Sequence, residues 1–196
     1  MTLSMLQKTL DAFDQENLQD PNQEPFEGKM IAKEWLYAQR MSHHLAQFCP
    51  TASDLLQLAA RSQHICRWKI PRSNYPMDRQ GYKKWRLDLA AFHGEQAGNI
   101  MAAQGYGEED VLRVKDLLLK RSLKRDNEVQ TLEDVICLVF IEFYLEDFAN
   151  KHTEEKLIDI IRKTWNKMSA DGHTAALKLP LSDAMLALVG KALKGD

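Results

Sequence analysis

The sequence predicts an all-α fold, arranged as one compact helical bundle of about 7–8 helices. Apolar residues recur at spacings of three and four, as in Leu6, Leu10 and Phe13, and this spacing places side chains on one helix face. No stretch of useful length alternates between apolar and polar residues as a half-buried strand would. The segment 135–145, VICLVFIEFYL, carries only Glu142 as a charge. Its apolar side chains therefore point in every direction, which indicates a helix surrounded by others.

Prolines, glycines and capping residues divide the chain into predicted helices. These span residues 3–13, 30–48, 53–68, 82–104, 109–122, 128–148 and 153–168, and a last short helix follows Pro180 and Ser182. The polar stretch 14–28 contains two prolines and is predicted to be a connecting loop. The domain prediction is therefore an N-terminal helix and loop over residues 1–28, followed by a single helical domain over residues 29–196.

Composition excludes several classes of protein. The net charge of -2 gives no overall attraction to nucleic acid or to an anionic membrane, so any such binding must come from a local patch. The three cysteines, Cys49, Cys66 and Cys137, form no CxxC pair, which argues against a disulfide framework or a structural zinc site. No signal peptide and no membrane-spanning apolar run is recognisable, so a cytoplasmic protein without a membrane partner is expected.

The segment 61–86 concentrates basic and aromatic side chains. It carries eight cations against Asp78 alone. The cations are Arg61, Arg67, Lys69, Arg72, Arg79, Lys83, Lys84 and Arg86, and the aromatic residues among them are Trp68, Tyr75, Tyr82 and Trp85. Arginine suits phosphate through paired hydrogen bonds, and tryptophan suits a flat base through stacking. The segment therefore predicts either an anion-binding site or a surface loop whose cations pair with acids elsewhere.

Two of the six histidines lie where they could act as ligands. His64 belongs to a stripe with Arg61 and Trp68 on the predicted helix 53–68, which indicates either a cleft or a solvated surface. His93 has apolar neighbours at helical spacings, and such a histidine is typical of a core residue with one hydrogen bond or of a buried ligand. Glu133 and Asp134 lie near the start of the predicted helix 128–148. Their carboxylates either interact favourably with the positive N-terminal end of the helix dipole or place an inward carboxylate beside a metal or ligand.

These features, taken in order, resemble the HD superfamily of helical metal-dependent phosphohydrolases. The stretch 56–66, LQLAARSQHIC, is similar to the helix that carries the family's His-Asp pair. The helix around His93 resembles the family's later histidine helix, and Glu133–Asp134 resembles the segment with its final metal-binding aspartate. The chain departs from the family where Gln63–His64 replaces His-Asp. It departs again at Tyr37 and Lys120, which stand in place of two further histidines. The resemblance implies an HD-like bundle in which His64, His93 and Asp134 hold one divalent metal ion of unspecified identity.

Four phrases resemble an uncharacterised family known only as a domain of unknown function, DUF family 4202. They are AARSQHICRWKIPR, GYKKWR, EVQTLEDVICLVF and KTWNKMS. This resemblance extends over nearly the whole chain after residue 30, and it implies a globular intracellular protein without naming an activity.

The sequence thus favours a hydrolase that acts on a nucleotide or another small phosphorylated molecule. The metal would activate a water and Glu133 would be its general base. The remaining roles fall to residues that neutralise phosphate or stack on a base; these are Arg61, Arg67, Arg72 and Lys120 for phosphate, and Trp68 or Trp85 for the base. The alternative is a non-catalytic module that senses an anion or nucleotide. RNA binding through residues 61–86 is the weaker variant of that alternative.

Overall fold

The computed structural model describes residues 3–194, and within them it is mostly helical, as predicted. Ten α-helices occupy this part of the chain, which is more than the sequence predicted. They are α1 (Met5–Asn17), α2 (Lys33–Phe48), α3 (Asp54–Arg61), α4 (Arg79–Ala103), α5 (Glu108–Leu118), α6 (Asn127–Phe143), α7 (Leu145–Ala149), α8 (Glu154–Trp165), α9 (Ala170–Ala176) and α10 (Asp183–Lys194). No helix in residues 3–194 has the length and apolar character that crossing a membrane requires. The HD-like arrangement of the helices stays a prediction.

The described chain divides into two compact units, the first ending at Ser122 and the second beginning at Leu123. In the first unit α1 packs against α2, α3 and α4, and α4 packs along α5. Fully buried side chains from these helices form its core, among them Phe13, Met41, Leu58, Met101 and Leu117. The N-terminal helix is thus built into the first unit, and the prediction of one domain over residues 29–196 stays a prediction.

A short β-hairpin lies where the sequence predicted a loop. Strands β1 (Gln23–Phe26) and β2 (Lys29–Ala32) pair in antiparallel register. The two turn residues, Glu27 and Gly28, both have positive φ, at 49° and 75°. Two-residue hairpin turns of type I′ require positive φ at both positions, and their usual sequence signal is Asn-Gly or Asp-Gly. The Glu-Gly turn and a proline inside β1 concealed the hairpin, so the prediction of a loop over residues 14–28 was wrong for this part.

The second unit is organised by α6, which begins at Asn127 and ends at Phe143. Its buried side chains include Val129, Leu132, Val135 and Leu138, as the all-round apolar segment predicted. The helix predicted over residues 128–148 is broken at Tyr144, whose backbone leaves the helical region with φ -125°. Within this unit α9 packs against α6, and α10 packs against α8.

The Asp134 carboxylate joins α6 to the start of α9. It accepts hydrogen bonds from the Ser169 backbone N–H at 2.8 Å and from the Ser169 hydroxyl at 2.6 Å. The same hydroxyl accepts the N–H of Gly172 at 3.0 Å, which caps α9. A Cβ atom at position 172 would lie 2.6 Å from Asp134 Oδ1, so only glycine lets the carboxylate approach the helix this closely. Here the structure uses Asp134 as a packing and capping group.

Gly172→Ala is expected to destabilise the second unit by about 1–3 kcal/mol, because the added methyl group forces the Asp134 carboxylate away from its two donors on Ser169. Gly190→Ala is the matched control, since a Cβ there meets nothing within 4 Å. Alanine raises helix propensity, so this control should be neutral or stabilising by up to about 1 kcal/mol. Urea unfolding measures both variants. Equal midpoints for Gly172→Ala and the wild type would contradict the tight approach.

Candidate functional site

His64 lies in a turn that the sequence had assigned to a helix. The helix predicted over residues 53–68 ends at Arg61 as α3, and the chain then turns back through Cys66, which has a left-handed φ of 55°. The Cys66 N–H donates to the Asn17 side-chain oxygen of α1 at 3.0 Å, and this bond fixes the reversal. As a result, the turn presents the Ile65 carbonyl to α4, where it meets His93.

His93 is held as one defined neutral tautomer. Its Nδ1 lies 2.8 Å from the Ile65 carbonyl oxygen, and because that oxygen can only accept, Nδ1 carries the proton and donates. The ring is 3% exposed, and Nε2 has no hydrogen-bond partner within residues 3–194. Burial lowers the pKa of His93 to about 3, with further lowering by His64 and Arg67 that the Ile65 bond and Glu34 offset only in part. His93 is therefore a neutral acceptor over the physiological range.

His64 contacts three side chains that come from other parts of the first unit. Its ring stacks on Tyr37 of α2 with centroids 3.9 Å apart, and lies 5.9 Å from the His93 ring. Its Nδ1 is 3.2 Å from the Glu34 carboxylate. Burial holds the pKa of His64 well below its ordinary value, and nearby cations, with Arg67 first among them, lower it further. The His64 side chain is 14% exposed, and this largely buried imidazole is neutral although a carboxylate lies beside it.

Glu34 reaches His64 from the first turn of α2. Its backbone N–H donates to the buried Asp20 carboxylate at 3.1 Å, which anchors the start of the helix. The side chain of Glu34 is itself buried, and burial raises its pKa, while Arg67 and Lys33 partly oppose the shift. Glu34 and His64 thus form a buried acid–base pair in which loss of water disfavours charge on both groups.

Cations surround this pair from several elements. Arg67, Arg86, Lys120 and Lys33 each lower the pKa of His64 through their positive charge. The guanidinium of Arg67 lies 5.0 Å above the Trp85 ring, and the indole N–H of Trp85 donates to the Ile70 carbonyl. Within the described part of the chain, neither Arg67 nor Arg86 forms an ion pair with a carboxylate. The group of Glu34, His64, Arg67, Arg86, His93 and Lys120 is called the His64 site below.

Other cations of the segment 61–86 serve local structure. Arg61 pairs with Asp14 of α1 at 3.2 Å. Arg72 donates to backbone carbonyls, those of Tyr75 and Pro76 at 2.9 and 2.6 Å among them. Both arginines were predicted to bind phosphate; in the structure Arg61 pairs with α1, and Arg72 donates to backbone carbonyls of its own segment. Trp68, which was predicted to stack on a base, is half-buried beside Lys69. Of the residues predicted to bind phosphate, Arg67 and Lys120 are the two whose charges act on His64.

The predicted acids of α6 lie in the second unit, and each has its own environment there. Asp134 is engaged by Ser169, as described above, and Glu133 lies 3.5 Å from Lys167. Across residues 3–194, no three side chains of the His, Cys, Asp and Glu types are grouped so that they could hold a metal ion. The metal site at His64, His93 and Asp134 therefore stays a prediction.

Sequence reasoning did not select Glu34 and Arg86 as site residues, although their spacing carried a signal. Arg86 and His93 are seven residues apart, which places them on one face of α4 two turns from each other. Glu34 and Tyr37 are likewise one turn apart on α2. What spacing could not supply is the turn at Cys66, because it depends on a hydrogen bond from residue 66 to residue 17.

Comparison with models of protein families identifies the family of the chain. The model of a protein family described as a domain of unknown function (DUF4202) matches residues 7–189 of the chain. No curated protein and no solved structure matches the chain.

The buried neutral His93 predicts an acid-sensitive fold. Its folded-state pKa of about 3 lies below that of the unfolded chain, so as pH falls the unfolded state binds the proton first. The associated stability is complete above about pH 6.5 and is lost as pH falls toward 3. In urea unfolding between pH 6.5 and 4, the wild type should lose roughly 1.4 kcal/mol per pH unit more than His93→Asn. The exposed His43→Asn is the control and should follow the wild type; equal pH slopes for His93→Asn and the wild type would contradict a buried neutral His93.

Proposed function

The chain belongs to the DUF4202 family, and we propose that its first unit binds the phosphate group of a nucleotide or another small phosphorylated molecule at the His64 site. One observation carries this proposal. Four cations act on the largely buried His64, and two of them, Arg67 and Arg86, form no close ion pair with a carboxylate in the described residues, although the charge of Arg67 also acts on Glu34. A group of partly exposed cations with a single carboxylate beside His64 is suited to an anion that arrives from outside.

The chemistry of these cations favours phosphate among anions. Arg67 and Arg86 offer planar guanidinium groups, which bind tetrahedral oxyanions through two parallel hydrogen bonds. The stacking of Arg67 on Trp85 limits the freedom of its guanidinium, so less conformational entropy is lost when the ligand is bound. Lys120 adds a point charge from the segment after α5, where its own backbone has a positive φ of 55°.

Burial favours a small ligand over a long nucleic acid. Arg67, Arg86 and Lys120 are each only partly exposed, whereas proteins that follow a nucleic-acid backbone present open stripes of cations and exposed aromatic rings. Trp85 is 9% exposed and its indole N–H is already used. Trp68, which is half-buried, is the tryptophan better placed to stack on a base, so a nucleotide fits the proposal through that residue.

Hydrolysis is a second candidate, and the defined tautomer of His93 favours it. An imidazole nitrogen without a partner can act as a ligand or as a base, provided a substrate or water reaches it. The sequence predicted a metal-dependent hydrolase, and metal analysis of the purified protein tests that prediction. Stoichiometric metal that is lost in both His64→Ala and His93→Ala would support a hydrolase, and a metal-free protein that binds phosphate would support a sensor.

Arg67→Gln and Arg86→Gln should each weaken the binding of inorganic phosphate by at least about tenfold, because each removes a charge-assisted hydrogen bond of about 1.5–3 kcal/mol. Isothermal titration calorimetry at constant salt measures the effect. Lys83→Gln is the matched control, since Lys83 lies on α4 like Arg86 but is exposed. It should change affinity less than about twofold. Equal losses in all three variants would point to general charge attraction, and an absence of phosphate binding by the wild type would overturn the proposal.

A further inference from the structure

The long helix α4 carries a ridge of side chains that the rest of residues 3–194 leaves uncovered. Its members recur every four residues, and side chains with this spacing form one continuous ridge along a helix. They are Arg79, Lys83, Leu87, Ala91, Glu95 and Asn99, all of them exposed. This set is called the α4 ridge below. Leu87, near its middle, is 69% exposed. A single exposed leucine is ordinary on a protein surface, so the charges on either side of it decide what the ridge can bind.

The other sides of α4 are already in use. Trp85 and Leu89 are buried in the first unit, and α5 packs along the helix. Arg86 and His93 belong to the His64 site. With 3.6 residues in each helical turn, Arg86 points about 100° away from Leu87. A partner that covers the α4 ridge therefore leaves the side of the helix with the His64 site open, and its binding is independent of the proposed function.

The charges of the α4 ridge are divided between its two halves. Arg79 and Lys83 are the cations of the N-terminal half, and Glu95 is the acid of the C-terminal half. Within residues 3–194 none of these three side chains forms an ion pair. By contrast, Lys84 beside the ridge pairs with Asp88 of its own helix. The ridge thus presents unpaired opposite charges in its two halves, with an apolar stretch between them.

The order of the α4 ridge is complementary to the same order read in reverse. Positions 83 and 95, 87 and 91, and 79 and 99 are placed symmetrically about position 89. When two copies lie antiparallel, Lys83 is therefore opposite Glu95 of the second copy, and Leu87 is opposite the small side chain of Ala91. A two-fold axis makes each of these contacts twice. Ridges with four-residue spacing pack against each other in the commonest class of helix pair.

We propose that the α4 ridge is the interface of a symmetric, antiparallel homodimer of this chain. Charge complementarity selects the second copy as the partner. A purely acidic partner would match Arg79 and Lys83 but repel Glu95, whereas the second copy presents both signs in the required order. One pair of crossing helices buries less than the roughly 1,200–2,000 Å² of a standard interface. The dimer is accordingly weak, with a dissociation constant on the order of 10 µM.

Sedimentation velocity of the full chain, from about 1 to about 500 µM, tests this interface. We expect a monomer–dimer equilibrium without larger species, because a two-fold interface closes on itself. Leu87→Ser should weaken dimerisation at least about tenfold, since it removes the central apolar contact twice. Leu112→Ser is the matched control, because Leu112 is a 51% exposed leucine of α5 outside the ridge. It should stay within about twofold of the wild type. Circular dichroism checks that each variant is folded.

Reversal of the ridge charges tests the antiparallel register. Lys83→Glu and Glu95→Lys each place like charges opposite one another at two symmetric positions, so each should weaken dimerisation at least about tenfold at low ionic strength. The double variant Lys83→Glu/Glu95→Lys restores both pairs, and its affinity should return to within about threefold of the wild type. Lys29→Glu alters the net charge as Lys83→Glu does, but on the exposed hairpin, and should leave the dimer unchanged within about twofold.

Four results would overturn the proposal. The first is a chain that sediments as a monomer at every concentration, and the second is an assembly larger than a dimer. The third is a dimer that Leu87→Ser and both single reversals leave intact, since another surface would then form the interface. The fourth is a double variant that stays as weak as the single reversals, because Lys83 and Glu95 would then not lie opposite each other.

Discussion

The hydrogen bond from His93 Nδ1 to the Ile65 carbonyl is the interaction on which the site depends. It joins α4 to the turn after α3, and that turn exists because Asn17 of α1 holds the Cys66 N–H in a left-handed reversal. Three segments far apart in the chain thereby fix one imidazole in one tautomer. His64 is placed by the same turn, where it stacks on Tyr37 and meets Glu34. Loss of the reversal would move every one of these contacts, so the geometry of the site and the fold of the first unit are a single arrangement.

The charges at this site oppose the ordinary requirements of a stable interior. His93 is buried and His64 is largely buried, both without charge, and the pKa of the carboxyl group of Glu34 beside them is raised. Cations act on His64 from α2, from the turn after α3, from α4 and from the segment after α5. Each of these features costs folding free energy, since buried polar and ionisable groups lose their hydration. The compact core of the first unit can offset that cost, as its fully buried side chains show. Natural proteins retain such unfavourable local arrangements mainly where a ligand or reaction makes use of them.

The sequence predicted the local features of this protein and missed the long-range ones. Helical periodicity identified α2, α4, α5, α6 and α8 to within a few residues at most ends, because apolar spacing is set by the helix itself. The hairpin at residues 23–32 was missed because its Glu-Gly turn lacks the usual signature, and α9 because a seven-residue helix has little periodicity to detect. His64 and His93 were both identified as candidates, yet nothing local linked them to each other. Their partners Glu34 and Ile65 are chosen by packing between helices, which one sequence does not display.

Asp134 shows why an inward carboxylate is weak grounds for a metal or catalytic site. Sequence analysis placed it toward the core, and the structure agrees, since it is 1% exposed. Its oxygens accept the backbone N–H and the hydroxyl of Ser169, so the charge lies at the N-terminus of α9, where the helix dipole favours it. By contrast, the cations that act on His64 all precede residue 122. The proposed phosphate site is thus assembled wholly by the first unit, and the acids of α6 have a structural explanation of their own.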